Sequence, residues 1–127
     1  MGYMILIVDD SETMRLMLER TLRMSKLPMD DIIKTENGRK ALDVLEERWV
    51  DLVMTDLNMP EMSGYELIDS IKNDAALKDL PLVVISTEGN ETVIQELYEK
   101  GIQGYLHKPF TPEHVYNLIV NTLGEWK

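Results

Sequence analysis

The sequence predicts an α/β fold, a doubly wound five-stranded parallel sheet covered by helices on both faces. Five short apolar runs alternate with five longer stretches of helical period from one end of the chain to the other. Runs such as Met4-Ile5-Leu6-Ile7-Val8 are apolar at every position, as strands buried on both faces are. The length of 127 residues, 44% of them hydrophobic, suits one domain spanning 1–127 with one proper core.

Each element has its own local signal. Residues 4–8 form the first strand. A helical stretch starts at Ser11, with Met14, Met17, Leu18 and Leu22 on one stripe and Pro28 beyond its end. Residues 32–35 read as a short strand, Asn37-Gly38 as a turn, and Ala41, Leu42, Leu45 and Trp49 as the apolar face of a second helix. Leu52-Val53-Met54-Thr55 is the third strand. After Asp56 comes a loop with Pro60, and Ser63-Gly64-Tyr65-Glu66 has capping-box spacing ahead of Leu67, Ile68 and Ile71. Pro81 introduces the fourth strand, residues 82–86. Val93, Ile94, Leu97 and Tyr98 mark a fourth helix that Gly101 can close in the left-handed conformation. Residues 104–107 form a short fifth strand. Thr111-Pro112 reads as an N-cap with proline at the first helical position, ahead of the stripe Val115, Leu118, Ile119, Thr122 and Leu123. Met14, Met17 and Met54 are read as core filler, Met59 and Met62 as loop residues. Strict alternation implies right-handed crossovers.

Lysine and arginine number 13 against 23 aspartate and glutamate, a formal net charge of −10. That balance argues against nucleic acid or an anionic membrane as partner and favours basic segments, cations or apolar grooves. The absence of cysteine removes disulfides, thiolate metal sites and cysteine nucleophiles, and fits a reducing compartment. The apolar runs fall far short of the roughly 20 residues a membrane span needs. With no secretory signal visible, a soluble, cytoplasmic, monomeric protein is expected.

In a doubly wound sheet, ligands bind where strands end at their carboxyl edge. Asp9 and Asp10 come directly after the first strand, Asp56 after the third, Ser86 and Thr87 at the end of the fourth, and Lys108 after the fifth. With the first strand central and the third and fourth beside it, these side chains converge on one crevice. Three carboxylates packed together repel one another, and a hard divalent cation with oxygen ligands, such as Mg²⁺, resolves the repulsion. Singly, an Asp-Asp pair is more often a solvated turn or helix cap, and a lysine an ordinary surface residue. The combination on separate strands seldom arises by chance.

Asp9-Asp10-Ser11, Asp56-Leu57-Asn58-Met59-Pro60 with Ser63-Gly64 beyond it, Ser86-Thr87-Glu88, and Gly104-Tyr105 leading to Lys108-Pro109-Phe110 occur in that order. In these motifs, and over essentially its whole length, the chain resembles two-component response-regulator receiver domains. The resemblance implies a flavodoxin-like sheet of order 2-1-3-4-5. It implies Asp56 as the phosphoacceptor, a nucleophile that takes a phosphoryl group from a phosphohistidine of a histidine kinase and forms an acyl phosphate. It also implies Mg²⁺, with Mn²⁺ as a substitute, held by Asp10 and Asp56, by the Asn58 main-chain carbonyl, and by Asp9 through water. Lys108 would meet a phosphoryl oxygen, with a cis peptide to Pro109. The switch hydroxyl falls on Ser86; Thr87 either narrows access to the site or simply enters the next helix. Asn58 and Glu88 occupy positions that tune attack of water on the acyl phosphate, and fast autodephosphorylation is expected, although each side chain can equally be solvated. Tyr105 would be the switch aromatic. The readout face would comprise the fourth helix, fifth strand and fifth helix, around Glu91, Gln95, Tyr98, Tyr105 and Tyr116.

Such a protein is not an enzyme on other substrates; it catalyses only its own phosphorylation and autodephosphorylation. The sequence stops at Trp126-Lys127 just after the fifth helix, so output through a separate partner is expected. Asp9-Asp10-Ser11 with Thr13-Met14-Arg15, and Ser86-Thr87-Glu88-Gly89, are similar to single-domain chemotaxis CheY-like receivers, which implies the flagellar motor switch as partner and a phosphatase as a further one. The alternatives are a stand-alone phosphorelay shuttle or phosphate sink, or a receiver excised from a longer regulator. Two other classes fit less well. A flavodoxin-type redox protein cradles a phosphate that Asp9-Asp10 would repel, and an aspartyl-phosphate phosphatase of the haloacid-dehalogenase type wants an Asp-x-Asp that the first strand lacks.

Overall fold

A computed structural model describes residues 2–25 and 27–123. Trp126 and Lys127, where the sequence places the end of the domain, lie outside the described residues. The elements alternate as β1 (Tyr3–Val8), α1 (Glu12–Met24), β2 (Met29–Thr35), α2 (Gly38–Glu47), β3 (Leu52–Thr55), α3 (Gly64–Lys72), β4 (Leu82–Ser86), α4 (Glu91–Lys100), β5 (Gly104–His107) and α5 (Pro112–Leu123). The five strands form one sheet in the order β2-β1-β3-β4-β5, with every neighbouring pair parallel. This is the doubly wound sheet that the sequence predicts, in the flavodoxin-like order that the resemblance to receiver domains implies. Among the described residues, no helix is long and apolar enough to cross a membrane.

Because β1, β3 and β4 are covered on both sides, their alternating side chains feed two separate cores. Leu6, Val8, Val53, Leu82 and Val84 pack with Ala41, Leu45, Leu67, Ile68, Ile71 and Leu97 from α2, α3 and α4. Ile5, Ile7, Leu52, Met54, Val83 and Ile85 pack on the opposite face with Leu18, Leu22, Val115 and Ile119 from α1 and α5.

The helix starts obey the capping chemistry of the sequence. Ser11 accepts from the Met14 amide at 3.2 Å, and Ser63 and Glu66 form the reciprocal capping box at 3.2 and 3.1 Å. Thr111 accepts from the His114 amide at 3.2 Å. Gly101 ends α4 in the left-handed region at φ 107°.

Four expectations need correction. The pair Asn37-Gly38 is not a free turn: Asn37 is the N-cap of α2, accepting from the Lys40 amide at 2.9 Å. Strand β2 starts at Met29 rather than at residue 32, because an edge strand tolerates charged residues such as Asp30 and Asp31 that break an apolar run. Trp49 is not on the apolar face of α2; the chain turns extended at Arg48, and Trp49 stands 72% exposed. Met17 is not core filler but 45% exposed, the burial of α1 being carried by Leu18, Thr21 and Leu22.

Ladder hydrogen bonds run past the strand ends and fix the residues just beyond them. The Asp9 amide donates to the Thr35 carbonyl at 3.1 Å, the Asp56 amide to Val8 at 2.9 Å, and the Lys108 amide to Ser86 at 2.8 Å. The Lys108–Pro109 peptide is cis. The loop after Asp56 folds back so closely that the Gly64 amide donates to the Leu57 carbonyl at 2.8 Å, and a Cβ on Gly64 would lie 2.0 Å from the Asp56 carbonyl oxygen. Glu61 in this loop adopts φ 65°, and its carboxylate accepts from Asn37 Nδ2 at 3.2 Å. Gly64→Ala is expected to cost about 1–3 kcal/mol, the range of forcing extra atoms against close-packed neighbours, measured by urea unfolding. A loss within about 0.5 kcal/mol, the ordinary range for surface substitutions, would show that the loop yields instead.

Candidate functional site

Asp9 and Asp10 leave the end of β1, Asp56 the end of β3, and Lys108 the end of β5, so the sheet order gathers them into one crevice. Asp9 is buried, Asp56 half-buried and Asp10 exposed, and one carboxylate oxygen from each lies within 4.8 Å of the others. At such a separation two unit charges repel by about 3.5 kcal/mol in an effective dielectric of about 20. Lys108 opposes this, its Nζ lying 3.3 Å from Asp9 Oδ2 and 3.6 Å from Asp56 Oδ2. One ammonium against three carboxylates leaves the crevice electron-rich. The donors are all oxygen and anionic, which is the ligand chemistry of a hard divalent cation, and the cluster fits one.

The electrostatics of Asp56 reflect this crowding. Burial pushes its carboxyl above the usual carboxylate range, the Leu57 amide and Lys108 pull it down, and Asp9 and Asp10 push it up again. The Leu57 amide donates to Asp56 Oδ1 at 2.8 Å, so Oδ2 is the oxygen that faces the lysine. Asp9 is held too: Oδ1 accepts from the Ser11 amide at 2.9 Å.

On the far side of the crevice Ser86 is buried while Thr87 is exposed, as adjacent strand positions facing opposite ways require. Ser86 Oγ accepts from the Glu88 amide at 3.1 Å. The Tyr105 hydroxyl donates to the Glu88 main-chain carbonyl. Two side chains on different strands thus grip one residue, one at its N–H and one at its C=O. The Tyr105 ring is half-buried against the core under α4; burial raises its phenol, the Ser86 hydroxyl beside it pulls the other way, and the Glu88 carboxylate adds to the rise. The Glu88 carboxylate itself accepts from the Asn90 amide at 2.9 Å and so turns toward the start of α4. Asn58 is exposed in the loop after Asp56. Glu91, Gln95, Tyr98 and Tyr116 are exposed on α4 and α5.

Two features of the site escape a reading of the sequence. Arg15, in the first turns of α1, donates from Nη1 to the Asp9 carbonyl at 2.7 Å and pins the backbone between the two acids. The sequence marks Arg15 only as part of the Thr13-Met14-Arg15 resemblance and gives it no role; its bond to a main-chain carbonyl leaves no signal there. Beside Lys108, Met14, Met17, Pro109 and Phe110 line an apolar groove that Thr87 borders. Its walls come from α1 and from the segment after β5, so no single stretch of sequence carries its signal.

Residues 5–120 match the response regulator receiver domain family. A chemotaxis protein CheY homolog of Campylobacter jejuni is 36% identical over 121 residues, covering 94% of this chain and 92% of its own. The two-component response regulator ORR3 of Oryza sativa is 38% identical over 115 residues, covering 90% of this chain and 86% of its own. Among solved structures, the Mn(2+)-bound form of response regulator Rcp1 superimposes with a TM-score of 0.84 at 26% identity, covering 98% of this chain and 97% of that one. Matched along nearly all its length, with the same sheet order and the acids and lysine gathered at the sheet's carboxyl edge, the chain belongs to the response regulator receiver domain family.

Proposed function

We propose that this receiver accepts a phosphoryl group on Asp56 from the phosphohistidine of a histidine kinase and passes the signal to a partner through α4, β5 and α5. The observation that carries this reading is Asp56 Oδ2 facing the Lys108 ammonium in a crevice walled by two further carboxylates. The Asp56 oxygen attacks phosphorus, the P–N bond of the donor breaks, and the imidazole leaves. Lys108 binds a phosphoryl oxygen as a compact cation. Asp9, Asp10, Asp56 and the Asn58 main-chain carbonyl would hold Mg²⁺ or Mn²⁺, in keeping with the Mn(2+)-bound relative. Bound there, the ion supplies positive charge to offset the incoming phosphoryl oxygens. The apolar groove of Met14, Met17 and Phe110 beside Lys108 suits the helix that brings the donor histidine. Beyond its own phosphorylation and autodephosphorylation, which Asn58 and Glu88 tune, the chain catalyses nothing.

Ser86 is the hydroxyl that turns to the phosphoryl group. In doing so it releases the Glu88 amide, and Tyr105, bonded to the Glu88 carbonyl, senses the shift of the loop and biases the α4-β5-α5 face. Similarity to a chemotaxis CheY homolog favours the flagellar motor switch as the partner on that face. The comparable identity to ORR3, whose name is that of a two-component response regulator and not of a chemotaxis protein, leaves room for a second reading outside chemotaxis, a stand-alone relay or phosphate sink. The two are separated by titrating the protein, with and without Mg²⁺ and beryllofluoride, against the N-terminal peptide of a motor switch protein from the same source. Tightening on activation, lost in Asp56→Asn, is the expected result; no binding in either state transfers the chain to the relay.

Asp56→Asn is expected to abolish phosphoryl uptake from a phosphohistidine donor while stabilising the fold. The native carboxyl sits above its ordinary range, so the native state binds a proton more readily than the unfolded one. Wild-type stability therefore falls as pH rises through and above the usual carboxylate range, whereas the amide is indifferent. A gain in Tm at neutral pH that vanishes in acid, measured by calorimetry across pH, is the expected sign of this effect. Undiminished uptake in this variant would refute the assignment. Lys108→Ala should still take up phosphoryl groups slowly but lose the activated-state NMR spectrum, and an unaltered activated spectrum would contradict its role.

A further inference from the structure

At the amino end of the sheet, opposite the acids, a groove of about 440 Å³ runs between the end of α2 and the segment ahead of β4. Leu45, Val50 and Leu80 form its buried floor, and Trp49 rises beside it with 72% of its surface exposed. We propose that this groove docks a protein segment presenting an apolar side chain flanked by lysine or arginine.

Two observations support a built surface rather than a stray aromatic. The indole is fixed: Trp49 Nε1 donates to Asp51 Oδ1 at 3.2 Å, and Asp51 Oδ2 accepts from the Met4 amide of β1 at 2.8 Å. An exposed tryptophan anchored to the sheet gives up little rotamer freedom on binding, and buried tryptophans are among the strongest anchors in interfaces. The rim then selects the partner. Glu46, Glu47 and Asp79 are exposed and, among the described residues, make no ion pair, while Arg48 beside them is turned to Asp31 at 3.4 Å. Acidic side chains around an apolar floor attract a basic, partly apolar segment. They repel a second copy of a chain whose net charge is −10. Strand β1, 6 residues long, separates this groove from the acids by about 20 Å at the usual rise per residue, so both ends can be occupied together.

The test is a ¹H–¹⁵N NMR titration of the full chain with an amidated peptide of leucine and lysine in helical spacing. Two comparison peptides carry serine for leucine, or glutamate for lysine. The Trp49 indole signal, assigned with Trp49→Phe, should move with the leucine–lysine peptide and with neither comparison. Affinity should fall at least about tenfold, a loss typical of an interface anchor, in Trp49→Ala and in the surface triple Glu46→Gln, Glu47→Gln, Asp79→Asn. The proposal is overturned if the indole signal stays put, if the shifts map to the acidic face of α4, if either comparison binds equally, or if the triple variant binds as wild type. Concentration-dependent dimerisation that Trp49→Ala abolishes would overturn it as well, in favour of a second copy.

Discussion

The mutual repulsion of Asp9, Asp10 and Asp56 is the constraint to which the rest of the receiver answers. Carboxylate oxygens within 4.8 Å of one another do not assemble by themselves, and the lysine between them offsets only part of the charge. Backbone keeps them together. The ladder bonds past β1, β3 and β5 dictate where each residue leaves the sheet, Arg15 clamps the Asp9 carbonyl, and the absent side chain of Gly64 lets α3 close over Asp56. The two apolar cores on either face of the sheet supply the stability against which this local cost is set.

The same economy governs the path from the crevice to α4. Ser86 and Tyr105 stand on neighbouring strands, and both hold Glu88, through opposite ends of its main chain. A loop held in this way has few intermediate positions. If the serine hydroxyl turns elsewhere, the amide loses its acceptor, and the tyrosine bonded to the neighbouring carbonyl must move with it or break its own bond. Hydrogen bonds that depend on one another in this way couple the position of the Ser86 hydroxyl to that of the Tyr105 ring through one residue's main chain.

Much of this is legible in the sequence because burial leaves a strong imprint there. Strands β3, β4 and β5 coincide with their sequence signals, since an apolar run or a strand flanked by glycine and lysine-proline admits few other readings. Caps at Ser63 and Thr111 are legible for the same reason, each satisfying a specific amide, while Ser11 is legible as a helix start whose capping bond the structure supplies. The misses have other causes. Asp30 and Asp31 lie in an edge strand, where one unpaired side relaxes the demand for apolar residues. Trp49 obeys helical spacing, but the helix ends before reaching it, and spacing alone cannot say where a helix stops. The acids and lysine of the site can be located because chemistry restricts residue type there. The Arg15 and Tyr105 contacts cannot, because a main-chain carbonyl as partner leaves no trace in the sequence.

The net charge of −10 takes on a meaning once the acids are placed. At the carboxyl edge of the sheet three of them converge on the Lys108 ammonium, in a cluster with the ligand chemistry of a hard cation. On α4, Glu91, Glu96 and Glu99 line the exposed face beside Gln95 and surround it with negative potential. At the amino edge Glu46, Glu47 and Asp79 surround an apolar floor. Negative charge spread over three faces does little for the fold, which the cores secure. Its reach is electrostatic: such charge favours encounter with basic surfaces over acidic ones, and the effect weakens as salt screens it over a Debye length of about 8–10 Å. The charge on these rims is therefore separable from the packing that holds the chain together, and substitutions there can change the surface potential while leaving the sheet and its crevice in place.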